Sequence, residues 1–240
     1  MVYKKLIKII KNLIYPRVCP LCNEIIDNGS DKTCRACKSV IPYISSPTCF
    51  KCGKEIDDDK KEYCEDCTQK PKLYIRGFPA MNYVPPVRES VADFKYRNKS
   101  SYADFFSYEI IKIHGRDIAQ LAPEVLIPVP VHDKKLKTRG YNQAALLAKR
   151  LGEPLGIKVD EEILKRSVNT LPQKQLAPEE RQKNLERAFI LTEKKVQYRK
   201  VMLVDDIYTT GATIEACTKL LKAAGVKEIY YTSICIGKGE

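Results

Sequence analysis

The stretch Val201 to Thr213, VMLVDDIYTTGAT, narrows what this chain can fold into more than any other. Val201 to Val204 is an apolar run of the kind that forms a parallel strand buried on both faces. Two carboxylates, Asp205 and Asp206, stand at its carboxyl end, and a Thr/Gly turn then opens an amphipathic helix expected to reach about Ala224. Backbone N–H groups of Thr209 to Thr213 lie free at such a helix N-terminus, where they can cradle a phosphate. Thr209, Thr210 and Thr213 add hydroxyl donors, Gly211 lets the backbone approach closely, and Tyr208 and Ala212 complete the segment. Asp205 and Asp206 then face a sugar, because carboxylates accept from vicinal hydroxyls and hold Mg²⁺ through water. Two rivals are excluded. A Walker B strand also ends in acids, but no GxxxxGK[ST] occurs in the chain, and a receiver domain carries its paired acids after its first strand, whereas this pair lies near the C-terminus.

The second constraint is a repeat. Cys19/Cys22, Cys34/Cys37, Cys49/Cys52 and Cys64/Cys67 are four CxxC pairs, each starting 15 residues after the last. Each pair forms a knuckle with two thiolates on one side, and two knuckles close a tetrahedral site for structural Zn²⁺. Sequential pairing gives two successive ribbons; a crossed pairing of first with third uses the same ligands, and spacing leaves both open. Pro47 between the halves favours the sequential form. Eight of the ten cysteines serve these pairs, which suits metal thiolates in a reducing cytosol rather than disulfides. With few apolar residues, residues 19–70 depend on metal for their folding energy. The other two cysteines, Cys217 and Cys235, read as core residues.

Charge separates the parts. The chain carries 42 Lys and Arg against 30 Asp and Glu, a net +12 that favours anionic partners. Between Cys19 and Lys70 the balance is 8 basic against 10 acidic, no phosphate-binding footprint, whereas residues 71–240 hold 29 against 20. Contact with nucleic acid is therefore expected from the larger part.

In chain order, residues 1–18 begin with a basic amphipathic helix from Tyr3 to Tyr15, whose apolar face meets either an anionic membrane surface or a neighbouring protein surface. No apolar run approaches the roughly 20 residues that span a bilayer. After the ribbons, residues 75–240 read as one α/β domain. FPAMNYV is strand-like, a helix ends in Phe94-Lys95-Tyr96-Arg97, a second covers about Tyr102 to Ile113, and VLIPVP, Val125 to Pro130, is the first central strand. A basic loop, His132 to Arg139, precedes a helix opened by Gly140-Tyr141-Asn142-Gln143 and running to about Arg150. Ile163 to Arg166 is a short strand, Asn169 to Asn184 a long polar excursion, Ala188 to Leu191 another strand, and Glu228 to Ile236 closes the sheet. His114 and His132 lack metal-pair spacing and receive no role.

The strand, acids and TTG-type turn resemble the ligand loop of the type I phosphoribosyltransferases, which implies that the ligand is 5-phosphoribosyl 1-pyrophosphate (PRPP) with Mg²⁺. The resemblance places the pyrophosphate against the turn after the first central strand, with Lys135 and Arg139 as contacts and Lys95 as a further candidate. It makes the polar excursion a hood over the ligand, with Gln173, Arg181 and Asn184 as its candidate contacts. With the CxxC ribbons, the PVPV run, RGYNQAALLA and LVDDIYTTGAT, nearly the whole chain resembles the ComF/ComFC competence family. That resemblance implies a cytoplasmic protein at the inner face of the membrane that handles incoming single-stranded DNA beside a competence helicase. Whether the phosphoribosyl site catalyses transfer to a nucleobase or related acceptor, or only binds, stays open.

Overall fold

The computed structural model describes residues 16–26, 31–166, 188–192 and 196–237. The expected helix from Tyr3 to Tyr15 and the excursion that holds Gln173, Arg181 and Asn184 lie outside the described residues. In chain order the elements are α1 (Arg35–Lys38) and α2 (Glu65–Gln69) in the cysteine region, then β1 (Gly77–Asn82), α3 (Val87–Tyr96), α4 (Ala103–Leu121) and β2 (Val125–Pro128). They continue with α5 (Asp133–Arg139), α6 (Gln143–Leu155), β3 (Lys158–Val159), β4 (Leu164–Arg166), β5 (Phe189–Leu191), β6 (Lys200–Tyr208), α7 (Ala212–Ala223) and β7 (Glu228–Ile236).

Five strands form one sheet in the order β1-β7-β6-β2-β3, parallel throughout, while β4 and β5 make a separate antiparallel pair. Side chains alternate across a strand. In β6, Met202 and Val204 therefore enter one apolar cluster with Val91 and Phe94 of α3, Phe106 of α4 and Leu147 of α6. Val201 and Leu203 enter another with Cys217 and Leu221 of α7. Covering both faces is what lets an all-apolar strand stay out of water.

The two cysteine ribbons divide between those faces. Cys19, Leu21, Ile26, Cys37 and Ile41 belong to the α3–α4 cluster, whereas Cys49, Cys52, Cys64 and Cys67 belong to the α7 cluster. The chain from Pro42 into the second ribbon runs along the outer edge of β1. Asn82 N donates to Pro42 O at 2.8 Å, Gly77 N to Lys51 O at 2.8 Å, and Tyr43 bridges to Met81. An edge strand covered in this way offers no template for association. Gly77 has to be glycine, since a Cβ there would fall 2.2 Å from the Tyr231 ring.

Several boundaries depart from the reading of the sequence. The basic stretch after β2 is a helix, α5, because the His132 side chain accepts from Lys134 N and so caps it, and left-handed Gly140 ends it. The second helix runs to Leu121 and α6 to Leu155, with Pro154 inside its last turn, while β2 stops at Pro128. Strand β6 continues through both acids to Tyr208, and β7, the last strand in the chain, lies inside the sheet between β1 and β6.

Candidate functional site

At the carboxyl end of β6 the structure gathers residues that are far apart in the chain. Lys95, on the last turn of α3, places Nζ 2.8 Å from Asp206 Oδ1, with the two side chains only 16% and 13% exposed. Asp206 N donates to Asp205 Oδ1 at 2.8 Å. Burial, and then the neighbouring Asp206 carboxylate, push Asp205 up to about 7, against the pull of Lys95 and Arg166. Lys135 belongs to the same group: burial lowers its pKa, and Arg139, Arg166 and Lys95 push it the same way, with Asp206 opposing. Arg139 lies over the Tyr96 ring at 4.7 Å and donates from Nη1 to Gln143 Oε1 at 2.9 Å. Lys95, Lys135 and Arg166 thus act on the two carboxyl groups, with Arg139 beside Lys135. The centre is biased toward anions, and its acids are held close by cations on two sides.

Arg166 gave no sign of itself in the sequence. It ends β4, lies 5.1 Å over the Phe189 ring, and its buried Nε has no hydrogen-bond partner among the described residues. Burial lowers its pKa while Cys217 and Asp205 support the charge. No local pattern marks an arginine whose carboxylate neighbour comes 39 residues later in the chain. Arg166 also borders a cavity of about 770 Å³, lined in addition by Pro130, Val131, Tyr141, Asn142 and Ile190. Asn142 holds this wall together: its side chain caps α6 by accepting from Ala144 N at 3.0 Å and donates to Val129 O at 3.1 Å.

The turn after β6 opens α7 as expected. Gly211 is the N-cap at φ 75°, no side chain caps the helix, and Thr209 and Thr210 are exposed. Uncapped first-turn N–H groups, together with the helix dipole, favour an anion. Gly211 is needed for a second reason: a Cβ there would fall 2.1 Å from Tyr208 Oη. Tyr208, expected among the ligand contacts, has its side chain in the core. Its ring turns under the turn, stacks on Tyr231 at 4.8 Å, and its hydroxyl meets Tyr74 Oη at 2.8 Å. The turn is also held from outside, where Glu215 accepts from Leu73 N at 3.0 Å and Thr210 O accepts from Lys72 Nζ at 3.3 Å.

The cysteines settle into sequential pairing. Cys19, Cys22, Cys34 and Cys37 bring their sulfurs within 4.8 Å of one another, as do Cys49, Cys52, Cys64 and Cys67. Cys22 Sγ lies 3.7 Å from Cys34 Sγ, and Cys52 Sγ lies 3.6 Å from Cys64 Sγ. A zinc tetrahedron with Zn–S bonds of about 2.3 Å has edges of about 3.8 Å, so both sulfur sets fit the ion. Cys22 is exposed, whereas all four cysteines of the second set are buried.

A family model described as a double zinc ribbon domain matches residues 10–68, and one described as a phosphoribosyl transferase domain matches residues 136–238. Competence protein F of Haemophilus influenzae is 33% identical over 174 residues, covering 70% of this chain and 76% of that one. The DNA utilization protein YhgH of Escherichia coli K12 is 31% identical over 175 residues, with 72% and 77% covered. Competence protein ComFC of Bacillus subtilis is 25% identical over 174 residues, with 68% and 67% covered. No helix among the described residues is long and apolar enough to cross a membrane.

Proposed function

The chain belongs to the ComF family of competence proteins, and on that premise we propose that its phosphoribosyltransferase-like site grips a phosphorylated ribose, PRPP with Mg²⁺ being the fullest occupant, while the protein handles incoming single-stranded DNA in the cytoplasm. The observation that carries this reading is the succession, along one strand and turn, of the acid pair with its cations Lys95, Lys135 and Arg166 and the uncapped helix N-terminus at Gly211. Thr209 to Thr213 offer backbone and hydroxyl donors to a 5′-phosphate. Asp205 and Asp206 accept from ribose hydroxyls and are the residues to which Mg²⁺ is referred; bound there, the ion compensates pyrophosphate charge. Lys135 and Arg139 stand on the side of α5 and α6, where a pyrophosphate needs positive charge. Gln173, Arg181 and Asn184 belong to this reading as hood contacts on sequence grounds alone.

The site is tested by calorimetry of PRPP with Mg²⁺ on the wild type and on the Asp205→Asn, Asp206→Asn double variant. Wild-type binding is expected, with a loss of about hundredfold or more in the variant, since each lost charged hydrogen bond is worth about 1.5–3 kcal/mol. Equal heats from both proteins refute the site. A net charge of +12 supports the DNA part. Affinity for a single-stranded oligonucleotide should fall at least about tenfold between ~50 and ~200 mM salt, and a flat salt profile counts against it. A competence helicase as partner, and contact of residues 3–15 with the inner face of the membrane, complete the proposal.

A second reading, transfer of the phosphoribosyl group to a nucleobase or related acceptor, is favoured by the cavity that Arg166 borders, which has room for an acceptor. Pyrophosphate released from PRPP in the presence of one base of a panel, and lost in the double variant, establishes transfer. Binding without release under every base leaves the site a receptor.

A further inference from the structure

The geometry points to Lys95 as a built-in counterion of the acid pair: its ammonium stands where a divalent cation would meet Asp206, so a simple phosphosugar binds here without metal and a free divalent cation is kept out. This rests on the phosphosugar reading and specifies its metal requirement.

Lys95 does not behave as a solvated helix-end cation. Its side chain is 16% exposed, whereas that of Arg97, two residues on, is 74% exposed and reaches only back to Asp93. Burial works against the Lys95 charge, yet Asp206 and then Asp205 outweigh it and hold the pKa above the ordinary range. The backbone that carries Lys95 is fixed from several sides. Phe94 O accepts from Tyr141 Oη at 2.5 Å, Arg139 lies on the Tyr96 ring, and Asp93 accepts from Asn23 Nδ2 at 3.4 Å. Only the flexible lysine stem can give way.

The charges around the pair decide the consequence. A divalent cation arriving alone has to displace Lys95 from Asp206 and face Lys135 and Arg166 as well. Mg²⁺ sheds its waters reluctantly and takes few protein ligands, so that exchange is unfavourable. A phosphosugar monoanion or dianion meets no such obstacle, because Lys95 already balances the acid that its ribose hydroxyls approach. A pyrophosphate, with its own oxygens for the cation and its own claim on the lysine, is what brings Mg²⁺ in.

The test uses full-length, zinc-loaded protein and Mn²⁺ as a paramagnetic probe. Wild type should bind no Mn²⁺ at the acid pair. Lys95→Met should gain one site, at least about tenfold tighter than anything in the wild type, and adding Asp206→Asn should remove it. A gained site cannot come from unfolding. Calorimetry with ribose 5-phosphate, in buffer freed of divalent cations over resin, completes the experiment. Wild type and Lys95→Arg should bind equally with and without Mg²⁺, while Lys95→Met should bind about tenfold more weakly without it and recover when it is added. Identical Mn²⁺ titrations for wild type and Lys95→Met overturn the inference, as does a wild type that needs Mg²⁺ for ribose 5-phosphate, or a Lys95→Met loss that Mg²⁺ fails to restore. If the wild type binds PRPP with Mg²⁺ while any of these holds, only the role of Lys95 falls. If it binds neither sugar, the phosphosugar reading falls and takes Lys95 with it.

Discussion

The two ribbons are alike in sequence and unlike in consequence. The first packs on α3 and α4, where Tyr102 donates to Asn23 Oδ1 at 2.5 Å and Tyr43 to Glu109 Oε2 at 2.6 Å. Its Cys22 faces solvent. The second lies under the turn after β6: Tyr231 donates to Cys52 O at 2.8 Å, Tyr231 stacks on Tyr208, and the Tyr208 and Tyr74 hydroxyls meet. Burial raises the pKa of all three tyrosines, so their hydroxyls stay neutral and act as hydrogen-bonding groups. An equal spacing of cysteines therefore says nothing of how far each zinc reaches. The first ribbon braces the helix that carries Lys95, and the second is part of the floor of the turn.

Losing one zinc at a time should expose that difference most sharply. Cys52→Ser and Cys22→Ser should each bind one zinc fewer by metal analysis. The second-ribbon change should also abolish phosphosugar binding by calorimetry, because a structural zinc supplies about 10 kcal/mol or more to its module, and the exposed first-ribbon change should weaken it by only about threefold or less. Equal losses would erase the distinction. Gly211→Ala comes next. Its Cβ meets the Tyr208 hydroxyl at a left-handed φ of 75°, a strain of about 1–3 kcal/mol that should lower the melting temperature by about 2–10 °C and remove ligand binding.

A matched pair of hydroxyl deletions gives a finer cut. Tyr208→Phe and Tyr102→Phe each lose one buried hydrogen bond, worth about 1 kcal/mol in thermal unfolding. Only the first should also weaken phosphosugar affinity. A similar loss with Tyr102→Phe would mean that the first ribbon reaches the turn after all.

A test by pH concerns Asp205, whose folded pKa of about 7 lies above the ordinary 3.8. The folded state then holds this proton more tightly than the unfolded chain does. The stability it contributes is full below about pH 4, is lost as pH rises through 7, and stays level above. Asp205→Asn should accordingly melt higher than wild type at pH 8, by on the order of 10 °C, with the gap narrowing toward pH 4; a gap independent of pH would contradict the raised pKa. The same substitution is expected to harm ligand binding, a trade of stability for a charge the site uses.

How much of this was written locally can be seen residue by residue. The thiolate ligands were legible because a CxxC knuckle is a short-range device whose chemistry needs nothing beyond its own two sulfurs. The buried strand, the acids and the helix after Gly211 were legible because their periodicity changes within thirteen residues. The direction of the Tyr208 side chain was not legible because a strand residue next to this turn points to one face or the other, and only the tyrosines at 74 and 231 decide which. His132 looked idle because its work, capping α5, appears only once the backbone turns there.

By itself the sequence determined a parallel α/β sheet with an acid pair, two four-thiolate metal sites and a surplus of positive charge outside the ribbons, since each follows from residue type at short spacing. Tertiary structure alone decided that the ribbons close in sequence and take opposite faces of the sheet. It also decided that Arg166 joins the acids and that Lys95 reaches Asp206. Those are contacts between residues tens to more than a hundred positions apart, and no local propensity encodes them; they are fixed by which apolar faces must be covered together.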